Sequence, residues 1–180
     1  MRPEAPEELL DEEAFAHDEF LPYWAELWPA ATALVAVLPE RLDGVRVLEL
    51  GCGLGLPSLV AAARGADVTA IDWADDAVTL LRRNASRNGL TLACEVHDWR
   101  QPMERTFDLA LAADVLYERR NVEPVLTRLR EAAPEALVGL AGRPYEAEFL
   151  RLAAPVEQIA ERVVRFTQPT RADRRARPDA

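Results

Sequence analysis

Three groups of residues in this chain of 180 have types and spacing that could do chemistry. The first is Glu49-x-Gly51-x-Gly53-x-Gly55, which directly follows the apolar run Val47 to Leu50. Alternate glycines let a loop bring its backbone close to a ligand. Leu56-Pro57-Ser58 then starts a helix, with Pro57 in the first turn, where its missing N–H is not needed. A dinucleotide loop, G-x-G-x-x-G, would need glycine at position 56, where leucine stands. Glu49 would also repel a pyrophosphate at that helix N-terminus, whereas a ligand with an ammonium and a sulfonium would be favoured. The second group is Asp72, with Trp73 beside it, and His97-Asp98-Trp99. Asp72 lies about 20 residues past the glycines, where an acid accepts hydrogen bonds from ribose hydroxyls; the alternative is an N-cap for the helix near Ala74. Asp98 could accept from the exocyclic amine of an adenine and Trp99 lie against or beside its ring, or the two could be an N-cap and a half-buried tryptophan. The third group is Asp114-Val115-Leu116-Tyr117, a carboxylate and a phenol following Ala113.

The elements that must position these groups alternate between strand and helix. After a helix from Ala30 to Leu38, Val47–Leu50 reads as a buried parallel strand, and a helix from Leu56 to Arg64 ends at Gly65 in a C′ position. Ala66–Ile71 is the predicted second strand. A helix from Ala74 to Arg87 carries Asp75 and Asp76 in its first turn and arginines later, matching the helix dipole. Leu92–Val96 is the third strand and Thr106–Ala113 the fourth. A helix from Val122 to Ala133 precedes a fifth strand, Ala136–Ala141, and a helix from Tyr145 to Ala153 follows. Val156–Thr167 reads as one strand of mixed pattern or a helix. The alternation predicts an α/β fold: Rossmann-like, doubly wound, a mainly parallel central sheet with helices on both faces, and a truncated C-terminal strand.

Around this core, residues 1–20 are expected to form an acidic arm or lid helix, 21–167 the main domain, and 168–180 a flexible basic tail. Half the chain is hydrophobic, enough for one folded domain. Net charge is −10, and all 21 basic residues are arginine; an acidic surface repels polyanions, so nucleic acid is not an expected partner. No run of eighteen apolar residues occurs and the N-terminus is acidic, so neither a membrane span nor a secretory signal is expected, and the location expected is cytoplasmic. Cys52 and Cys94 offer neither a disulfide framework nor metal-ligand spacing. Oligomeric state is not legible.

From about Pro22 to Ala141 the chain resembles the class I, seven-stranded S-adenosylmethionine-dependent methyltransferases. The likeness rests on PYWAELWPA, VLELGCGLGLPSL, the acid of AIDW, and AADVLYE. Within that class it is similar to the protein-lysine branch that includes the lysine methyltransferase of the electron-transfer-flavoprotein β subunit; PYWAELWP with DVLY carries this finer likeness. The resemblance implies S-adenosylmethionine as cofactor, with contacts at Trp28, Glu49, Gly51, Asp72 and Trp99 and with Ala113 near the ligand; Gly53, Trp73 and Asp98 complete the set of candidate cofactor-binding residues. It puts Asp114 and Tyr117 on the acceptor side as the catalytic pair, with no metal. The chain departs from the pattern in its short C-terminus, with no evident final strand.

The expected acceptor is a protein or small-molecule amine. Asp114 is assigned to capturing and orienting that amine, with proton loss through water or Tyr117, in a pocket lined by Tyr23, Trp24, Trp28 and Tyr117. Base methylation would call for a D/N/S-P-P-Y/F stretch where this chain reads ADVLY, and arginine methylation for a wider glutamate pair than Glu118 and Glu123. A module that binds the cofactor without turnover is the reading from a different class.

Overall fold

A computed structural model describes residues 23–167; the acidic arm expected over 1–20 and the tail expected over 168–180 lie outside the described residues. The described chain opens with a 3-10 turn, Tyr23–Ala25, followed by α1 (Pro29–Val37), β1 (Arg46–Leu50), α2 (Leu56–Ala63), β2 (Asp67–Asp72) and α3 (Asp75–Arg87). After these come β3 (Ala93–Val96), β4 (Leu109–Ala113), a 3-10 turn at Arg119–Asn121, α4 (Val122–Ala132), β5 (Glu135–Gly139), α5 (Glu146–Ala153), β6 (Glu157–Ala160) and β7 (Val163–Thr167).

The seven strands form one sheet in the order β3-β2-β1-β4-β5-β7-β6. The first five are parallel, and β7 runs antiparallel to both its neighbours. This corrects the expected truncation. Val156–Thr167 is neither one strand nor a helix but a hairpin, turned at Glu161-Arg162, which supplies the last two strands. Its mixed pattern has a physical cause: β7 is buried through Val163, Val164 and Phe166, whereas edge strand β6 is exposed or half-buried throughout and lacks the apolar alternation that marks a strand.

Alternate residues of the strands feed opposite faces. Leu48 and Leu50 of β1 join Ala110, Ala112, Val138 and Phe166 in a cluster that α4 and α5 cover through Leu126, Leu129 and Phe149. Val47 points the other way, into a cluster with Leu109, Leu111 and Leu137 under Leu34 of α1 and Ala61 of α2. Ala70 and Cys94 continue that face beneath Val78 and Leu81 of α3. Helix α1 lies close to the sheet at Gly139, where an added Cβ would stand 2.7 Å from the Ala30 carbonyl oxygen. Among the described residues, no helix is long and apolar enough to cross a membrane.

The strand order reverses between β1 and β4. In such sheets ligands bind outside the carboxyl ends of the strands at that switch point, which here are occupied by the glycine loop and by Asp114.

Candidate functional site

A cavity open to solvent lies at those carboxyl ends. Its lining includes Trp24 and Trp28 from the N-terminal side, Gly51, Gly53 and Gly55 after β1, Asp72 and Trp73 at β2, Trp99 after β3, and Ala113, Asp114 and Tyr117 after β4. All the predicted catalytic and cofactor-binding residues but one, Asp98, line it. Glu26, Leu27 and Cys52, absent from the predicted set, line it as well.

Glu49 is on the same face of β1 as Val47, which directs its carboxyl to the first turn of α2. It is 1% exposed, and its Oε2 accepts from the Ser58 N–H at 2.9 Å and from the Ser58 hydroxyl. Burial pushes the carboxyl up to about 8, against the opposing pull of the two Ser58 hydrogen bonds. A group so placed is stabilised by any positive charge brought beside it.

Asp72 ends β2 and is 4% exposed. Its Oδ2 accepts from the Gly53 N–H and its Oδ1 from the Ala74 N–H, both at 3.0 Å. One carboxylate thus ties the glycine loop to the residue before α3, and still lines the cavity; the two readings of the sequence, ligand acceptor and helix cap, are compatible because each oxygen has two lone pairs. Burial makes it a weaker acid than an ordinary aspartate, and the backbone donors partly offset that. Gly53 has φ +48°, and an added Cβ there would lie 3.1 Å from the Trp24 carbonyl oxygen, so glycine lets the N-terminal segment close over the loop.

Trp99 is 4% exposed and packs under Gly51. Arg128 of α4, itself buried, donates through Nε to the Trp99 carbonyl at 3.3 Å and fixes that loop. Asp98 is not among the residues that line the cavity. Its Oδ1 accepts from the Arg100 N–H at 2.8 Å, and its carboxylate pairs with the Arg100 guanidinium, Nε to Oδ2 at 2.8 Å, which holds it below the usual carboxylate range. The local cue was Arg100, two residues on. Cys52 is buried and its thiol is driven well up by desolvation, which suppresses the nucleophilic thiolate.

Asp114 follows β4 with φ +54°, an unusual left-handed conformation for a residue with a side chain. Its side chain is 1% exposed. Arg143, in the loop after β5, reaches it with a two-pronged grip: Nε to Oδ1 and Nη2 to Oδ2, both 2.7 Å. The same guanidinium lies over the Trp28 ring, 5.0 Å from its centroid. The sequence assigned Asp114 to an incoming amine; its carboxylate is already paired with an internal cation. Arg143 was missed. The rule that residues following each strand's carboxyl end build the site would have pointed to this loop had it been applied to the fifth strand.

Among the described residues, the lining therefore carries four acids, Glu26, Glu49, Asp72 and Asp114, and no lysine or arginine. That donor set, with a buried Glu49 and a glycine loop open to the cavity, fits a nucleoside ligand bearing positive charge and disfavours a polyphosphate.

Residues 47–134 match a family model described as a methyltransferase domain. Magnesium-protoporphyrin O-methyltransferase of Rhodobacter capsulatus is 32% identical over 108 residues, 58% of this chain and 48% of the relative. The electron transfer flavoprotein β-subunit lysine methyltransferase of Danio rerio is 35% identical over 102 residues, 54% of this chain and 40% of the relative. The chain thus spans about half the length, or less, of these curated relatives. Among solved structures, the magnesium protoporphyrin IX methyltransferase of Synechocystis PCC 6803 with bound SAM superposes with a TM-score of 0.62 at 21% identity, covering 77% of this chain and 76% of that one. The shared fold is the Rossmann-like methyltransferase sheet.

Proposed function

We propose that this chain is an S-adenosylmethionine-dependent N-methyltransferase acting on a protein lysine amine. The observation that carries the reading is the cavity at the switch point, lined among the described residues by four acids and no cationic side chain, built on the glycine loop and bordered by Asp114 and Tyr117. The methyltransferase-domain match supports the reaction class, and the lysine-methylating relative supports the acceptor.

Gly51 and Gly53 would bring backbone to the ligand, Asp72 would accept from ribose hydroxyls, Trp73 and Trp99 would flank the adenine, and Glu49 and Trp28 would face the methionine end. When bound, the cofactor supplies an electrophilic methyl group on a sulfonium. The protein's task is to align the acceptor nitrogen with that carbon and to exclude water. Such proximity and orientation contribute roughly 7–11 kcal/mol. The acceptor must arrive neutral, and an amine of pKa ~10.4 is unprotonated in about one molecule per few thousand at pH 7. Desolvation by Trp24, Trp28 and Tyr117 lowers that barrier, and Tyr117 or water carries the proton away.

A small-molecule amine acceptor is the second reading; the magnesium-protoporphyrin O-methyltransferase relative supports a small-molecule acceptor, though its methyl goes to oxygen. Calorimetry with S-adenosylmethionine and S-adenosylhomocysteine, followed by labelled-methyl transfer into a lysate, separates the cases. A labelled protein band supports the lysine acceptor; label confined to small molecules favours the second reading. Tight binding with no turnover would reduce the chain to a binding module, and no binding would overturn the proposal.

A further inference from the structure

A carboxylate next to an acceptor amine favours the ammonium form, which has no lone pair to give, so Asp114 alone would oppose the reaction it borders. Arg143 offsets it. It stands behind the cavity wall, holds both carboxylate oxygens at 2.7 Å, and stacks on Trp28. A two-pronged guanidinium–carboxylate pair fixes direction as well as charge, and this one is largely shielded, Asp114 being 1% and Arg143 27% exposed. Its anchoring is continued by Glu146 at the start of α5, whose Oε1 accepts from the Ala141 and Gly142 N–H groups at 2.7 and 3.0 Å and sets the loop that carries Arg143.

We infer that Arg143 is a positioning residue for transfer to an amine: by neutralising Asp114 and steadying Trp28 it keeps the acceptor from being trapped as an ammonium. The inference rests on the function proposed above. The other titratable groups around the pair are Glu26, Glu49, Asp72, Cys52 and Tyr117 in the cavity lining, and Glu146 on the loop side. Three of these are further acids of the cavity lining, which makes the cancellation at Asp114 matter more. In the reaction, the amine first gives its proton to water. The nitrogen lone pair then forms the N–C bond as the S–C bond breaks, and sulfur keeps that electron pair.

The test uses the full chain with n-butylammonium as probe and three variants: Arg143→Gln, Arg143→Lys, and Arg143→Gln combined with Asp114→Asn. By calorimetry at pH 7, Arg143→Gln is expected to bind the probe about tenfold more tightly than wild type. Arg143→Lys should stay near wild type, and the double variant should lose the gain. With a methylatable amine, the pH profile of kcat/KM for Arg143→Gln should move up by about one pH unit, with S-adenosylhomocysteine affinity unchanged. Equal probe affinity in wild type and Arg143→Gln, or a loss of activity equal at every pH, overturns the inference. Should Arg143→Gln fail to fold, Arg143→Met, which also removes the charge, decides through its profile, since a merely structural role would shift stability and leave the profile in place. A wild-type protein that binds cofactor but methylates no amine would refute the proposed acceptor class, while the probe measurement still judges Arg143.

Discussion

At the scale of single residues, the site is governed by where carboxylates are buried and what already holds them. Glu49, pushed up to about 8, is mostly protonated at neutral pH in the ligand-free protein. A sulfonium and an ammonium alongside would favour its ionised form. Binding of S-adenosylmethionine at pH 7 should therefore release a proton, seen as a buffer-dependent heat in calorimetry with two buffers of different ionisation enthalpy. S-adenosylhomocysteine, with one positive charge fewer, should release less, and Glu49→Gln none. Asp72→Ala should cost the fold as well as the ligand, because Gly53 and Ala74 both lose their acceptor. Hydrogen bonds to a charged group contribute about 1.5–3 kcal/mol each, so the urea midpoint should fall even without ligand. Asp98→Ala, by contrast, should leave cofactor affinity near wild type in the same titrations, since its carboxylate belongs to Arg100.

At the scale of elements, the turn from β1 to α2 is the most constrained piece. Gly55 is the N-cap of α2 at φ +77°, and an added Cβ would lie 2.1 Å from Leu81 Cδ1 on α3. Gly55→Ala should destabilise by about 1–3 kcal/mol through backbone strain alone. Adding Leu81→Ala should relieve the clash without restoring the wild-type denaturation midpoint, because the strained φ remains. The C-terminal hairpin is equally integral. Phe166 of β7 is 2% exposed and meets Phe149 of α5 edge to face, ring centroids 6.2 Å apart. Phe166→Ala should cost about 3–5 kcal/mol, read from urea denaturation; a cost under 1 kcal/mol would mean the hairpin is dispensable. The first five strands and the intervening helices were legible in sequence because each carries its own apolar period and its own punctuation, such as Pro57, Gly65 and Asn88-Gly89. The hairpin was not: its edge strand is half-solvated, and its turn, Glu161-Arg162, has neither glycine nor proline.

For the whole molecule, two of the buried acids, Glu49 and Asp72, set the direction of pH dependence. Both Glu49 and Asp72 are raised by burial. The folded protein therefore holds protons that the unfolded chain releases, and the stability this contributes is full below the ordinary carboxyl range and lost as pH climbs toward about 8 for Glu49. Glu95, Asp98 and Asp108 act oppositely, each lowered by an arginine partner, so their contribution is lost as pH falls below the usual carboxylate range; exposure to solvent keeps it small. The denaturation midpoint should thus decline from pH 5 to pH 8, and Glu49→Gln should flatten the slope. A midpoint that rises over this window would show that Glu49 is ionised in the folded state. The net charge of −10 acts alongside, favouring cationic acceptors at long range and making their capture weaken with added salt.

The amino-acid order by itself determined the α/β alternation, the glycine loop, and the placing of Asp72, Trp99 and Asp114 at strand ends, since each depends on a few neighbouring residues. Only the tertiary structure decided what those groups touch. Arg143 and Asp114 are 29 residues apart and meet because β5 lies beside β4. Glu49 finds Ser58 because α2 folds back over β1. Pairings of this kind are set by strand order and packing, which bring distant side chains into one desolvated space where charge must be balanced.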